Sequence, residues 1–122
     1  MDILCICIGG QNRSHYLAQY LKEQNADYHA ESFAAMIPGR QNRIDEAELV
    51  ITLHETVKTV LSMSNYNLEG KTILELDVED VSKEHFFGNK PDAQGRDLEE
   101  VHEDIRKQIA PHLPLENLLK ST

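Results

Sequence analysis

At 122 residues the chain is long enough to bury one hydrophobic core without covalent staples, and 21 acidic residues against 12 basic ones leave a net charge of −9 that argues against nucleic acid as a partner. Two cysteines, at positions 5 and 7, cannot build a disulfide framework, because alternate residues of one strand are poorly placed to bridge. The opening Met-Asp-Ile-Leu-Cys-Ile-Cys-Ile lacks a basic leader and is too short to span a bilayer, so the expectation is a single domain, residues 1–122, in a reducing cytoplasmic compartment with no membrane partner.

Ile3 to Ile8 reads as the first strand. From Ser14 onward Leu17, Tyr20, Leu21 and Gln24 share a face, which predicts an amphipathic helix to about Asn25. Tyr28 to Phe33 gives a second strand, and Ala47 to Leu53 a third, buried on both faces through its continuous apolar centre. Val57, Val60 and Leu61 suggest a short helix before a turn at Asn65-Tyr66-Asn67. Lys71 to Val78 contains the fourth strand, Thr72-Ile73-Leu74-Glu75-Leu76, and runs into the acidic segment Asp77-Val78-Glu79-Asp80. A last helix starts near Asp97, with Glu99 and Glu100 in its first turn and Leu98, Val101, Ile105 and Ile109 as its buried stripe, until Pro111 and Pro114 break it. Strands alternating with helices predict an α/β fold with a parallel sheet covered on both faces. In such sheets ligands bind beyond the carboxyl ends of the strands, where Cys7 and Asp80 both fall.

Residues 7 to 14 read Cys-Ile-Gly-Gly-Gln-Asn-Arg-Ser. A strand delivers a thiol, Gly9 and Gly10 let the backbone curl so that successive N–H groups of Ile8, Gly9, Gly10, Gln11 and Asn12 point inward, and Arg13 closes the ring with a planar fork matched to two phosphoryl oxygens. Donors around a thiol at a helix N-terminus favour the thiolate, the nucleophilic form. The same donors lie where charge spreads over the equatorial oxygens of a phosphoryl group in transfer. Ser14 either caps the helix or donates its hydroxyl to the sulfur. Expelling an alcohol or phenol needs a proton donor opposite the thiol. Asp80 is the candidate, and it would then activate water as carboxylate; Asp77, Glu79 and Asp80 otherwise read as solvated loop acids. His15 is placed to touch substrate, whereas the other five histidines are scattered without metal-ligand spacing, so no metal or cofactor is expected. Phe86 and Phe87 either line a cleft for an aromatic group or pack in the core.

With the Cys-x5-Arg-Ser loop directly after an N-terminal strand, the chain resembles the low-molecular-weight protein tyrosine phosphatases and the arsenate reductases that share their fold. Ala47-Glu48-Leu49-Val50-Ile51-Thr52-Leu53 is similar to the family's third strand, and Leu76-Asp77-Val78-Glu79-Asp80 to the strand end and loop carrying its general acid. The resemblance implies a three-layer α/β/α fold with a four-stranded parallel sheet and a phosphatase-type P-loop after the first strand. It also implies metal-free phosphomonoester hydrolysis, with Cys7 as nucleophile, Arg13 as phosphate binder and Asp80 as acid, acting on a phosphorylated protein or small phosphomonoester and releasing inorganic phosphate. The chain departs from the family in having Gly10 where Asn is usual, His15 where Pro follows the loop Ser, and Val81 where Pro follows the acid. A rival alignment sets Glu84-His85-Phe86-Phe87-Gly88 against the family's Asp-Pro-Tyr-Tyr-Gly and makes Glu84 the acid. The segment between the second and third strands is also short.

Other functions are compatible with a cysteine in this loop. An arsenate reductase would use the same oxyanion cradle but needs further thiols, and with Cys5 as the one other cysteine it would depend on an external thiol. A sugar-phosphotransfer component of the IIB type also carries phosphate on a cysteine after its first strand, but its loop typically lacks the arginine. A non-catalytic phosphoprotein-binding pseudophosphatase is the remaining alternative.

Overall fold

A computed structural model describes residues 1–10, 12–79 and 98–119. Strand β1 (Asp2–Cys7) lies at the centre of a four-stranded sheet, pairing in parallel with β2 (His29–Ala34) on one side and β3 (Leu49–Thr52) on the other, and β3 pairs in parallel with β4 (Thr72–Glu75). Five successive residues of β1, Ile3 to Cys7, are buried, as are all four of β3. Unbroken burial of this kind requires cover on both faces, which the helices α1 (Arg13–Gln24), α2 (Gln41–Glu46), α3 (Thr56–Met63) and α4 (Leu98–Ile109) provide.

Side-chain alternation along β1 divides the core in two. Ile3, Cys5 and Cys7 face Leu17 and Leu21 of α1 and Val101, Ile105 and Ile109 of α4, whereas Leu4 and Ile6 face Ile44 of α2 and Val57 and Leu61 of α3. The result is the three-layer α/β/α arrangement expected from the sequence. Arg106 of α4 donates from Nη1 to the Tyr16 hydroxyl of α1 at 2.7 Å, and His102 stacks on the Tyr16 ring with centroids 3.8 Å apart. These contacts fasten α4 over the first turn of α1, just behind the loop that follows β1.

Several boundaries differ from the sequence expectation, each for a local reason. The third strand starts at Leu49 because the Ala47 N–H bonds to the Ile44 carbonyl and so ends α2. That short helix is itself unforeseen. The Leu53 N–H still reaches the Ile6 carbonyl at 2.9 Å, so pairing continues one residue beyond β3. Pro111 falls in a 3₁₀ turn, Ala110–His112, that ends α4. The chain then continues past Pro114 into α5 (Glu116–Leu119), tied back where the Leu115 N–H donates to the buried Tyr28 hydroxyl at 2.9 Å. Among the described residues no helix is long and apolar enough to cross a membrane.

Candidate active site at the carboxyl edge of the sheet

All strands of the sheet are parallel, so their carboxyl ends share one edge. From β1 the chain goes out to β2 on one side and returns to β3 on the other, the switch point at which parallel sheets generally bind their ligands. Cys7, the last residue of β1, lies at that edge and is buried.

The backbone turns sharply after Cys7 and brings the Gly10 N–H to the sulfur, donating at 3.1 Å. Gly10 has φ of +70°, and a Cβ at that position would meet the backbone N and Cβ of Ala34 at 3.0 Å. Both the left-handed conformation and the close approach to β2 therefore call for glycine. Helix α1 begins immediately afterwards at Arg13, with Asn12 at the N-cap position and its carbonyl accepting from the Tyr16 N–H. Ser14 does not occupy the cap; its buried hydroxyl oxygen lies 3.1 Å from Cys7 Sγ. The sulfur thus has a backbone N–H and a hydroxyl beside it at the positive end of a twelve-residue helix.

Arg13 is 94% buried, since its relative exposure is 6%, and its Nη1 donates to the carbonyl of Val78 at 2.8 Å. That bond links the loop after β1 to the segment after β4, 65 residues along the chain. Each residue of this second segment is fastened. Leu76 N–H donates to Thr52 and Val78 N–H to Leu53, both at 2.8 Å, while Gln108 of α4 accepts from the Asp77 N–H and donates to the Asp77 carbonyl at the same distance. Glu79 Oε1 lies 2.9 Å from Nε2 of His54, the residue after Leu53.

Sequence spacing did not single out His54, Asp77 and Glu79, because they come together through the register of β3 and β4. One ligand-type atom from each lies within 4.8 Å of the others, a donor set of the kind that holds a divalent cation. The hydrogen-bond pattern of the ring assigns a different role. His54 Nδ1 accepts the Thr56 N–H at 3.2 Å, so in the neutral ring the proton resides on Nε2 and points at Glu79. That arrangement is a hydrogen bond from the ring to the carboxylate. Burial pushes the Cys5 thiol far above its ordinary range, with the neighbouring Cys7 adding to the rise, so Cys5 stays protonated in the core.

Of the residues expected at the site, Cys7, Ile8, Gly9, Gly10, Asn12, Arg13 and Ser14 all lie on the strand end, the turn or the first turn of α1. Gln11, Asp80, Glu84, Phe86 and Phe87 lie outside the described residues. His15 is exposed on α1.

No protein-family model matches the chain, and neither does any curated protein. Among solved structures, the solution structure of a low molecular weight protein tyrosine phosphatase from Bacillus subtilis aligns with a TM-score of 0.51, covering 98% of this chain and 97% of that one at 15% sequence identity. The chain has the low-molecular-weight tyrosine phosphatase fold. Within that phosphatase fold, the strand–loop–helix opening of the sequence lies at the edge expected for a P-loop. Glycine at position 10 also has a structural reason, since any side chain there would press on Ala34.

Proposed function

We propose that the protein hydrolyses phosphomonoesters, with phosphotyrosine in proteins as the expected substrate class, through a cysteinyl-phosphate intermediate. The single observation that carries this reading is the surroundings of Cys7: a thiol at the end of a central parallel strand, bonded by the Gly10 N–H, 3.1 Å from the Ser14 hydroxyl oxygen, at the N-terminus of a helix whose first residue is a buried arginine. The phosphatase fold supports it.

In the proposed reaction the Cys7 thiolate attacks phosphorus, an S–P bond forms and the P–O bond to the leaving group breaks. Arg13 and the loop amides balance the charge on the equatorial oxygens, and Asp80 gives its proton to the departing oxygen. Water then attacks the cysteinyl phosphate, Asp80 takes a proton from it, the S–P bond breaks, and inorganic phosphate leaves with the thiolate restored. Two free thiols, Cys5 and Cys7, are in keeping with a reducing, cytoplasmic setting.

The arsenate reductase reading gains no internal relay from Cys5, whose buried, protonated thiol is a poor attacking group. An external thiol would be required. The test of the main reading is turnover of an aryl phosphate by the wild-type chain, its inhibition by orthovanadate, and its loss in Cys7→Ser. Vanadate-sensitive hydrolysis confined to the wild type is the expected result. Oxyanion binding without hydrolysis would indicate a pseudophosphatase instead.

A further inference from the structure

We infer that His54 is a positioning residue for Arg13, acting through Glu79 and the carbonyl of Val78. The inference rests on the proposed role of Arg13 in holding a phosphoryl group, and deepens it.

The path is short and made of single bonds to described atoms. Arg13 Nη1 donates to the Val78 carbonyl, so the direction of that carbonyl sets the plane and reach of the guanidinium. The carbonyl belongs to the peptide plane between Val78 and Glu79. On its N-terminal side the Val78 N–H is fixed to Leu53, but that bond leaves rotation about the Cα–C bond of Val78 open. On its C-terminal side the plane is held through Glu79, whose carboxylate accepts from His54 Nε2 at 2.9 Å. The imidazole is in turn locked. Its Nδ1 accepts the Thr56 N–H at 3.2 Å and lies 2.9 Å from the Thr56 hydroxyl, at the start of α3, and the His54 side chain is only 13% exposed. Thr56 therefore orients the ring, the ring engages the Glu79 carboxylate, itself 68% exposed, and that contact restrains the peptide plane that receives the arginine. Ligands of functional groups are commonly held by an outer layer of this sort.

Asp77 is the competing explanation. Its Oδ1 lies 3.6 Å from His54 Nε2, beyond hydrogen-bond distance, so it adds charge near the ring without a directed bond. A hydrogen-bonded latch and a diffuse charge effect predict different variants to matter.

The experiment is calorimetric binding of orthovanadate to the full chain, a readout that does not require turnover, together with the thermal midpoint of each unliganded protein. His54→Ala should weaken vanadate binding about fivefold, the equivalent of one hydrogen bond of about 1 kcal/mol. His54→Gln, which carries an amide N–H at similar reach, should restore most of the affinity. Glu79→Ala should lose as much as His54→Ala, and the double variant should lose no more than either, since both remove the same link. Asp77→Ala should bind as the wild type does. Additive losses in the double variant, failure of glutamine to rescue despite a wild-type melting temperature, or an equal loss in Asp77→Ala would each overturn the assignment. Wild-type protein that binds no vanadate would remove the phosphate-site reading itself, and the inference with it, whereas tight wild-type binding unchanged in His54→Ala would remove the inference alone.

Discussion

At the scale of single residues the site depends on atoms that have no substitute within the loop. Gly10 is the sharpest case, because its φ of +70° and the 3.0 Å approach of Ala34 act together. Gly10→Ala should cost about 1–2 kcal/mol from the left-handed backbone alone. It should also lower turnover by displacing the N–H that faces the sulfur, and thermal melts with aryl phosphate kinetics on the same preparation check both effects. Asp80 and Glu84 are separated by their chemistry, since a proton donor matters most when the leaving group is poor. Asp80→Asn should slow phenyl phosphate hydrolysis much more than that of a nitrophenyl ester, while Glu84→Gln slows neither strongly; the reverse pattern would assign the acid to Glu84. The strand, turn and helix that carry Cys7, Gly10 and Arg13 were legible in the sequence because these residues are nearly contiguous. The tie from Arg13 to Val78 and the pairing of His54 with Glu79 were not, because they join residues 65 and 25 positions apart through strand register, which no local spacing encodes.

At the scale of elements, apolar runs carried the prediction and polar segments escaped it. The cores of β1 and β3 are continuous stretches of buried residues, so their existence was evident even where their ends moved by one or two positions. Helix α2 has six residues and buries only Ile44, too little for a 3.6-residue period to register. The packing of α4 on α1 yields a pH prediction. His102, stacked on Tyr16, has its pKa lowered from 6.5 chiefly by burial, with Glu99 acting to raise it and Arg106 to lower it. The unfolded chain therefore takes up this proton more readily than the folded one. The stability that neutral His102 contributes is complete above pH 6.5 and is lost as pH falls through the lowered native value. The melting temperature of the wild type should drop on acidification through this range more than that of His102→Gln. Equal drops would show that the ring does not sense the α1–α4 packing.

At the scale of the whole molecule, a net charge of −9 surrounds a site proposed to take a dianion. Capture then depends on short-range donors while the long-range field repels the substrate. Raising sodium chloride from about 0.02 to 0.15 M, which shortens the screening length to about 8 Å, should therefore raise kcat/KM for an aryl phosphate. A fall would mean that the local positive potential of Arg13 and the α1 terminus already dominates approach. The fold itself was legible at this scale from the alternation of strands and helices, and it explains why a central strand ends in the proposed nucleophile. The account stands or falls on a covalent bond to that residue. Acid-quenching the protein during turnover of an aryl phosphate, followed by mass spectrometry of the peptide containing residues 1–13, should find one phosphoryl group on Cys7 in the wild type and none in Cys7→Ser. Steady turnover with Cys7 never phosphorylated, or with the phosphoryl group on another residue, would contradict it.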